Sequence, residues 1–177
     1  KVPVEVLRDG ERISIEVTMT HIDRSKDLIE SYLFDRGPKY MIVGGLVFQE
    51  LSLNYLKTWG KDWRTKAPLK LVYAFDNQDE FRKEGRDKLV ILSRVLPNSA
   101  TTGYDRVSSV LVWEINGREI GSIQDLAKGF EQVPENGIHE IKVDHNPTLI
   151  HLDAERAGEA DRDIKKRFRI RNLSRLE

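Results

Sequence analysis

The sequence predicts a mainly β fold with helices packed on it, and three observations carry that prediction. Apolar residues alternate with other residues in several short runs, such as Val2, Val4, Val6 and then Ile13, Ile15, Val17. A period of two is the signature of a half-buried strand. Turn-forming pairs separate the runs: Asp9-Gly10, Gly44-Gly45, Asn116-Gly117 and Asn146-Pro147. One stretch has helical spacing instead, with Ile123, Leu126, Ala127, Phe130 and Val133 recurring behind Ser122 as N-cap.

Each element follows in order. Asp9-Gly10 closes a β-hairpin over residues 2–19. Residues 20–38 are mixed and charged and read as a linker, with one helical turn expected around Leu28–Leu33. Tyr40-Met41-Ile42-Val43 and Leu46-Val47-Phe48 are strands on either side of Gly44-Gly45. Ser52 caps a short helix carrying Leu53 and Leu56 that ends near Gly60. Residues 61–88 read as a polar insertion, helix-permissive and solvated from Asp76 to Arg86. Leu89 to Leu92, extended by Val95-Leu96, is a buried strand, and Val107 to Ile115 is another. Pro134 and Gly137 stop the helix that begins at Ile123. Residues 138–152 alternate again around Asn146-Pro147. The helix over 153–168 turns Ala157, Ala160, Ile164 and Phe168 inward. The opening hairpin and the pair at 138–153 share one layout, as the ends of two successive modules would.

Composition narrows the function classes. The chain has 177 residues, 39% hydrophobic and 33% charged, which suits one packed domain with an appendage. Lys plus Arg and Asp plus Glu are both 29, so no net charge draws the chain to nucleic acid or an anionic membrane. The absence of cysteine excludes disulfides and thiolate metal sites. No apolar run approaches the roughly 20 residues of a membrane-spanning helix. The start at Lys1, inside a strand, reads as a piece excised from a longer protein.

The stretch Gly44-Gly45-Leu46-Val47-Phe48 leaves two readings open. It is a buried strand entered by a glycine turn, or it is a binding device. In the second reading, successive backbone N–H groups in the turn form an anion nest for a terminal carboxylate. The strand edge then accepts a peptide as an added strand, and a facing helix supplies an apolar pocket. Glycine suits both, because the turn needs positive φ and close backbone approach.

The ordered set of these stretches resembles the PDZ modules of HtrA/Deg serine proteases, most closely the atypical second PDZ of plant-type Deg proteases. GGLVFQELSLNYLKTWG looks like the carboxylate-loop strand and following helix. LVILSRVLPNSATTGY is similar to the strand and its V-LP-S turn, and VLVWEINGREIGSIQDLAKGF to the strand, NG turn and helix that close such domains. LDAERAGEADRDIKKRFRI resembles the terminal helix after the second PDZ, and VEVLRDGERISIEVTM the last hairpin of a preceding one.

The resemblance implies a PDZ-like, partly open β-sandwich or barrel capped by helices. It implies a preceding-module hairpin at 1–22, a linker at 23–36 and the PDZ-like domain at 37–177, with the insertion at 61–88 covering the groove or making a subunit contact. Gly44, Gly45, Leu46 and Val47 then hold a carboxylate, Phe48 and Gln49 lie on the peptide-pairing strand, and Ile123, Ala127 and Phe130 line the pocket. The bulky Val47 and Phe48 depart from the small, glycine-containing loop of ordinary PDZ domains and would narrow the groove. In the atypical subgroup the module is tied more to oligomer assembly than to substrate capture. The implied partners are peptide or protein C-termini or neighbouring subunits in a homo-oligomer, with no cofactor. The implied compartment is the periplasm if the parent is bacterial. The opening hairpin or the insertion could also fill the groove.

Other chemistries are weaker. His21, His139, His145 and His151 accompany neither Gly-Asn-Ser-Gly-Gly nor Gly-x-Ser-x-Gly, so this stretch carries no catalytic triad and a parent protease would hold it upstream. Asp144, His145, His151 and Asp153 flank a turn without metal-ligand spacing. Lys165, Lys166, Arg167, Arg169, Arg171 and Arg175 form a basic stripe, but cations are expected at a helix C-terminus, so nucleic-acid binding is disfavoured. A stand-alone scaffold domain is the remaining alternative. Trp113 reads as core, while Trp59 and Trp63 read as exposed or interfacial.

Overall fold

The computed structural model describes residues 1–19, 27–33 and 36–177. His21 and part of the predicted linker therefore lie outside the described residues. Strands β1 (Val2–Arg8) and β2 (Glu11–Val17) form a separate antiparallel hairpin. Asp9 and Gly10 both take positive φ at its turn, as the Asp-Gly pair predicts.

The remaining strands build one sheet. In chain order they are β3 (Tyr40–Val43), β4 (Leu46–Glu50), β5 (Val90–Val95), β6 (Val110–Ile115), β7 (Arg118–Glu119), β8 (Ile138–Val143), β9 (Leu149–Asp153) and β10 (Ser174–Arg175). Their spatial order is β10-β3-β4-β5-β6-β8-β9, with β7 paired to β6. The sheet curls until β9 approaches the β3–β4 turn, where a Cβ built on Gly44 would lie 2.9 Å from Leu152 Cδ1. The alternation predicts the strands, and the partly open, helix-capped arrangement is the one that the resemblance implies.

Two apolar layers sit on opposite faces of β5 and β6. Val90 and Leu92 point into the inner core with Leu46, Phe48, Ile141 and Ile150, while Ile91 and Leu111 point to the other side. A strand buried on both faces reads as an unbroken apolar run, which is why residues 89–92 show no alternation. Helix α5 (Ile123–Glu131) closes the inner core with Ile123, Leu126 and Phe130. Its N-cap is Ser122, whose Oγ accepts from Asp125 N at 3.1 Å. Helix α6 (Ala154–Phe168) is capped by Asp153, whose carboxylate accepts from Arg156 N.

The outer layer corrects several expectations. Residues 61–88 are not a solvated insertion. They form α2 (Trp63–Lys66), α3 (Leu69–Asp76) and α4 (Gln78–Lys83), which follow α1 (Leu53–Leu56). Trp63, Leu71, Ala74 and Phe81 are buried against Ile91 and Leu111. Three short helices, with Pro68 capping the second, break the apolar period too often for it to register in the sequence. Leu28 and Ile29, read as linker, are also fully buried in this layer, and Glu30 bridges to Ser52 instead of starting a helical turn. Trp63 is core, packed edge-on to Phe75. Phe168, expected to face inward, is 46% exposed.

Candidate functional site

The Gly44-Gly45 turn takes the backbone that the binding reading requires. The φ values are 57° and 94°, and they allow a two-residue connection between β3 and β4. The turn does hold a carboxylate, but it is the chain's own. Gly44 N donates to Asp161 Oδ1 of α6 at 2.8 Å. The Gly44 carbonyl accepts from Asn98 Nδ2, and the Gly45 carbonyl accepts from Leu96 N. Burial pushes the Asp161 carboxyl up to about 6, opposed by the Gly44 N–H and by Lys165 one turn away.

Strand β4 is not an edge. Leu46 to Gln49 pair with Val43 back to Tyr40 on one side. On the other side β4 pairs with β5 from Leu46↔Val95 to Glu50↔Val90, with a bulge at Ser93 whose hydroxyl bonds the Val47 carbonyl. Peptide addition along Phe48, Gln49 and Glu50 is therefore corrected: both ladders of this strand are already occupied. The position that a guest strand would take beside β4 is filled by β3, which also packs against α5. Neither the opening hairpin nor the 61–88 helices fill it.

The other predicted site residues divide by face. Leu46 and Phe48 are fully buried, and Phe48 meets Phe130 with ring centroids 5.7 Å apart. Ile123 and Phe130 are buried with them, and Ala127 is half-buried. This helix face packs a closed core rather than lining an open pocket. Val47 and Gln49 are half-buried on the opposite face, where they border a cleft with Ile42, Tyr55, Trp59 and Phe168. The structure thus brings Gly44, Asp161, Phe48 and Phe130 into one region but leaves no free strand edge on β4.

The edge that does receive a strand in this region is that of β3. Residues 172–176 run antiparallel along it, with Met41 opposite Ser174 and Tyr40 opposite Arg175. Ile42 N donates to Leu173 O at 2.7 Å, and Tyr40 Oη donates to Asn172 O at 2.8 Å. Arg175 reaches back to the Pro38 carbonyl. From α5, Gln124 Nε2 donates to Leu176 O at 2.7 Å. Leu176 packs against the inner core.

Sequence reasoning missed both Asp161 and residues 172–176. A signal existed for the first. Asp161 follows Ala157 by four residues and precedes Ile164 by three, so a carboxylate stands on the apolar face of α6. The second is a two-residue strand in a basic stretch and has no period to detect.

Several of the remaining polar candidates have structural partners. His139 is buried, its Nδ1 faces Asn116 Nδ2 at 2.8 Å, and burial pushes its pKa down. Since Asn116 Nδ2 is a donor, His139 Nδ1 accepts and the proton sits on Nε2. Asp144 pairs with Lys70, and Asp153 caps α6. Trp113 is half-buried, stacked on Phe81 with the Arg86 guanidinium 4.5 Å from its ring centroid.

Comparison with known proteins agrees with this architecture. A family model described as a PDZ domain matches residues 29–174. The chain is 26% identical over 118 residues to a serine protease DegP homolog of Plasmodium falciparum, covering 66% of this chain and 12% of that protein. It is 33% identical over 125 residues to the chloroplastic Protease Do-like 2 of Arabidopsis thaliana, covering 70% and 19%. A putative mitochondrial Protease Do-like 3 from the same plant is 23% identical over 94% of this chain and 27% of its own length. The chain spans under a third of each of these relatives. It belongs to the PDZ domain family, as a PDZ region of the HtrA/Deg protease type.

Proposed function

We propose that this chain is the non-catalytic PDZ module of an HtrA/Deg-type serine protease, and that it joins parts of the protease assembly instead of capturing free C-termini at β4. One observation carries the reading: the slot beside β4 and the N–H of Gly44 are both occupied from within, by β3 and by Asp161. A ligand carboxylate would have to displace a carboxylate already held by a covalently attached helix.

A second observation favours assembly. The β1–β2 register sets Val2 opposite Val17, Val4 opposite Ile15 and Val6 opposite Ile13, so six apolar side chains share one ribbon face. Val2, Val4, Ile13, Ile15 and Val17 are 37–43% exposed. A two-stranded ribbon is marginal alone and needs its apolar face covered. The hairpin fits as the last element of a preceding PDZ-like module, whose core would cover it.

Light scattering on the purified chain, with and without a C-terminal peptide library, tests this. The expected result is an unchanged mass and no amide shifts at residues 44–49. In a full-length protease carrying this region, deletion of 27–177 is expected to reduce oligomer size and spare cleavage of a short substrate. Micromolar binding of free C-termini mapped to Gly44–Phe48 would overturn the proposal.

A further inference from the structure

We propose that the cleft on the outer face of β3 and β4 is a binding site for a fatty carboxylate, with Arg94 holding the carboxylate and the apolar and aromatic lining holding the alkyl chain. This stands apart from the proposed function above. It concerns the face of the sheet opposite Phe48 and Phe130, and it does not depend on whether the module assembles a protease.

The sheet and two pieces of chain build the cleft. Ile42 of β3 and Val47 of β4 form its floor, and neither belongs to the two cores. Tyr55 and Trp59 border it from the connection that follows β4, and Phe168 and Ile170 border it from the end of α6. Its volume is about 680 Å³, within the roughly 300–1,000 Å³ of small-molecule sites. The aromatic border is set before any ligand arrives. Tyr55 meets Trp59 edge-on with ring centroids 5.3 Å apart, and its hydroxyl lies 2.8 Å from Ser109 Oγ. Ser109 takes φ 58°, a left-handed backbone that is uncommon outside glycine. Residues held in such conformations cluster at binding and catalytic sites.

The charge of the cleft selects the head group. Among the described residues, Arg94 is the only charged side chain that lines it. Arg94 stands opposite Val47 in the β4–β5 register and is exposed. No carboxylate of the described residues pairs with it. An apolar cleft with one unanswered cation complements a ligand with an apolar body and one negative charge. A guanidinium offers a planar fork that meets a carboxylate through two parallel hydrogen bonds.

The polar groups of the cleft favour an alkyl body over a polypeptide. The main chain of Leu46 to Gln49 is already paired to β3 and to β5, and Ile42 N donates to Leu173 O. Three lining hydroxyls are also committed: Ser93 to the Val47 carbonyl, Thr58 to the Tyr55 carbonyl and Ser109 to the Tyr55 hydroxyl. An extended peptide on this floor would lose water from its amides and gain few partners in return. An alkyl chain carries no such groups, and each methylene buried adds to binding. Gln49, Tyr55 and Thr58 also line a second depression with Leu33 and Pro38, into which a long chain can extend.

The probe is dodecanoate below its micelle-forming concentration, titrated against the intact chain by calorimetry and by amide shifts. Saturable binding is expected, with shifts at Ile42, Val47 and Trp59. Dodecanol keeps the chain and lacks the charge, and it is expected to bind at least tenfold more weakly. Dodecylamine reverses the charge and is expected to bind more weakly still. Because Arg94 is exposed, Arg94→Gln should fold normally. It is expected to weaken dodecanoate at least tenfold and to leave dodecanol unchanged. Phe168→Ala, which removes a ring already 46% exposed, is expected to weaken both probes alike.

The exposed ribbon of β1 and β2 is the competing apolar surface. Shifts confined to residues 2–17, or equal affinity for the three probes, would show adsorption to apolar surface only and would overturn the proposal. So would the absence of saturable binding to a chain that is folded by circular dichroism. Self-association that shields Trp59 from a soluble quencher, with no response to dodecanoate, would assign the cleft to a second copy and overturn it too. None of these results bears on protease assembly, which deletion of 27–177 tests separately.

Discussion

Replacing Asp161 with Asn should stabilise the protein at neutral pH. Asp161 accepts the Gly44 N–H at 2.8 Å, and the Asn carbonyl can accept the same bond. What the substitution removes is a partly buried charge. Burial raises the carboxyl from 3.8 to about 6, against the opposing pull of Gly44 N–H and Lys165. At about 1.36 kcal/mol per unit, this shift sets a ceiling of about 3 kcal/mol on the penalty for ionising Asp161 in the folded state. The group is only partly enclosed, so solvent screening reduces the realised value to about 1–2 kcal/mol.

The sign of the pH dependence follows from proton counting. Between the unfolded value of 3.8 and the folded value of about 6, the folded chain holds a proton that the unfolded chain has released. Stability therefore falls as pH rises through that window and is flat above it. Asp161→Asn should be more stable than the parent by about 1–2 kcal/mol at pH 7.5, roughly 2–8 °C in Tm. The advantage should disappear near pH 4, where Asp161 is protonated in the folded chain. Urea unfolding of both proteins at pH 4, 5.5 and 7.5 measures it. A loss of stability at pH 7.5 would show that the ion itself anchors α6 to the glycine turn, and an effect equal at all three pH values would show that its charge does not matter; either would refute the reasoning.

Two further outcomes follow from the same region. Gly45→Ala should cost about 2–4 kcal/mol, since a side chain at φ 94° is strained and its Cβ would clash with Asn98 Nδ2 and meet the Leu96 carbonyl at 2.7 Å. Chemical denaturation checks this, and a loss under 1 kcal/mol would mean that the turn relaxes freely. Ser122→Ala should cost about 1 kcal/mol through loss of the α5 N-cap, visible in thermal unfolding, whereas Ser122→Asp should retain most of the stability.

Much of the fold was legible because its signals are local. Asp9-Gly10 and Asn116-Gly117 both adopt positive φ, which short polar residues and glycine tolerate. Ser122, Ile123, Leu126 and Phe130 announced a capped amphipathic helix, and the structure builds it. The glycine loop was legible as a turn, and the carboxylate that meets it, on the Gly44 N–H, is the chain's own. What the sequence does not encode locally is which partner arrives. The pairing of β3 with β4 makes β4 interior, yet Tyr40–Val43 and Leu46–Glu50 would look the same if the second were an edge. The carboxylate comes from Asp161, 117 residues away in the chain. Phe168 fell on the inward phase of α6, but the helix ends there with Arg169 in the left-handed region, and the ring stays on the rim of the outer cleft.

The helices between β4 and β5 offer the sharpest contrast between the two kinds of reading. As a solvated insertion, residues 61–88 would tolerate truncation of any leucine within about 0.5 kcal/mol. As a second apolar layer, they would not. Leu71 and Leu69 sit two residues apart on α3, and the first is 0% exposed while the second is 80% exposed. Leu71 lies with Leu56, Trp63 and Phe81 against Ile91 and Leu111, the outward side chains of the strands whose inward ones form the other core. Leu71→Ala should therefore cost about 2–5 kcal/mol, and Leu69→Ala almost nothing. Because both layers share β5 and β6, the loss should appear as one cooperative transition that intrinsic tryptophan fluorescence and backbone dichroism report together. Two transitions, or equal effects at the two leucines, would mean that the helices fold independently of the sheet. The second layer covers the outer face of β5 and β6, while the apolar face of the β1–β2 ribbon stays exposed.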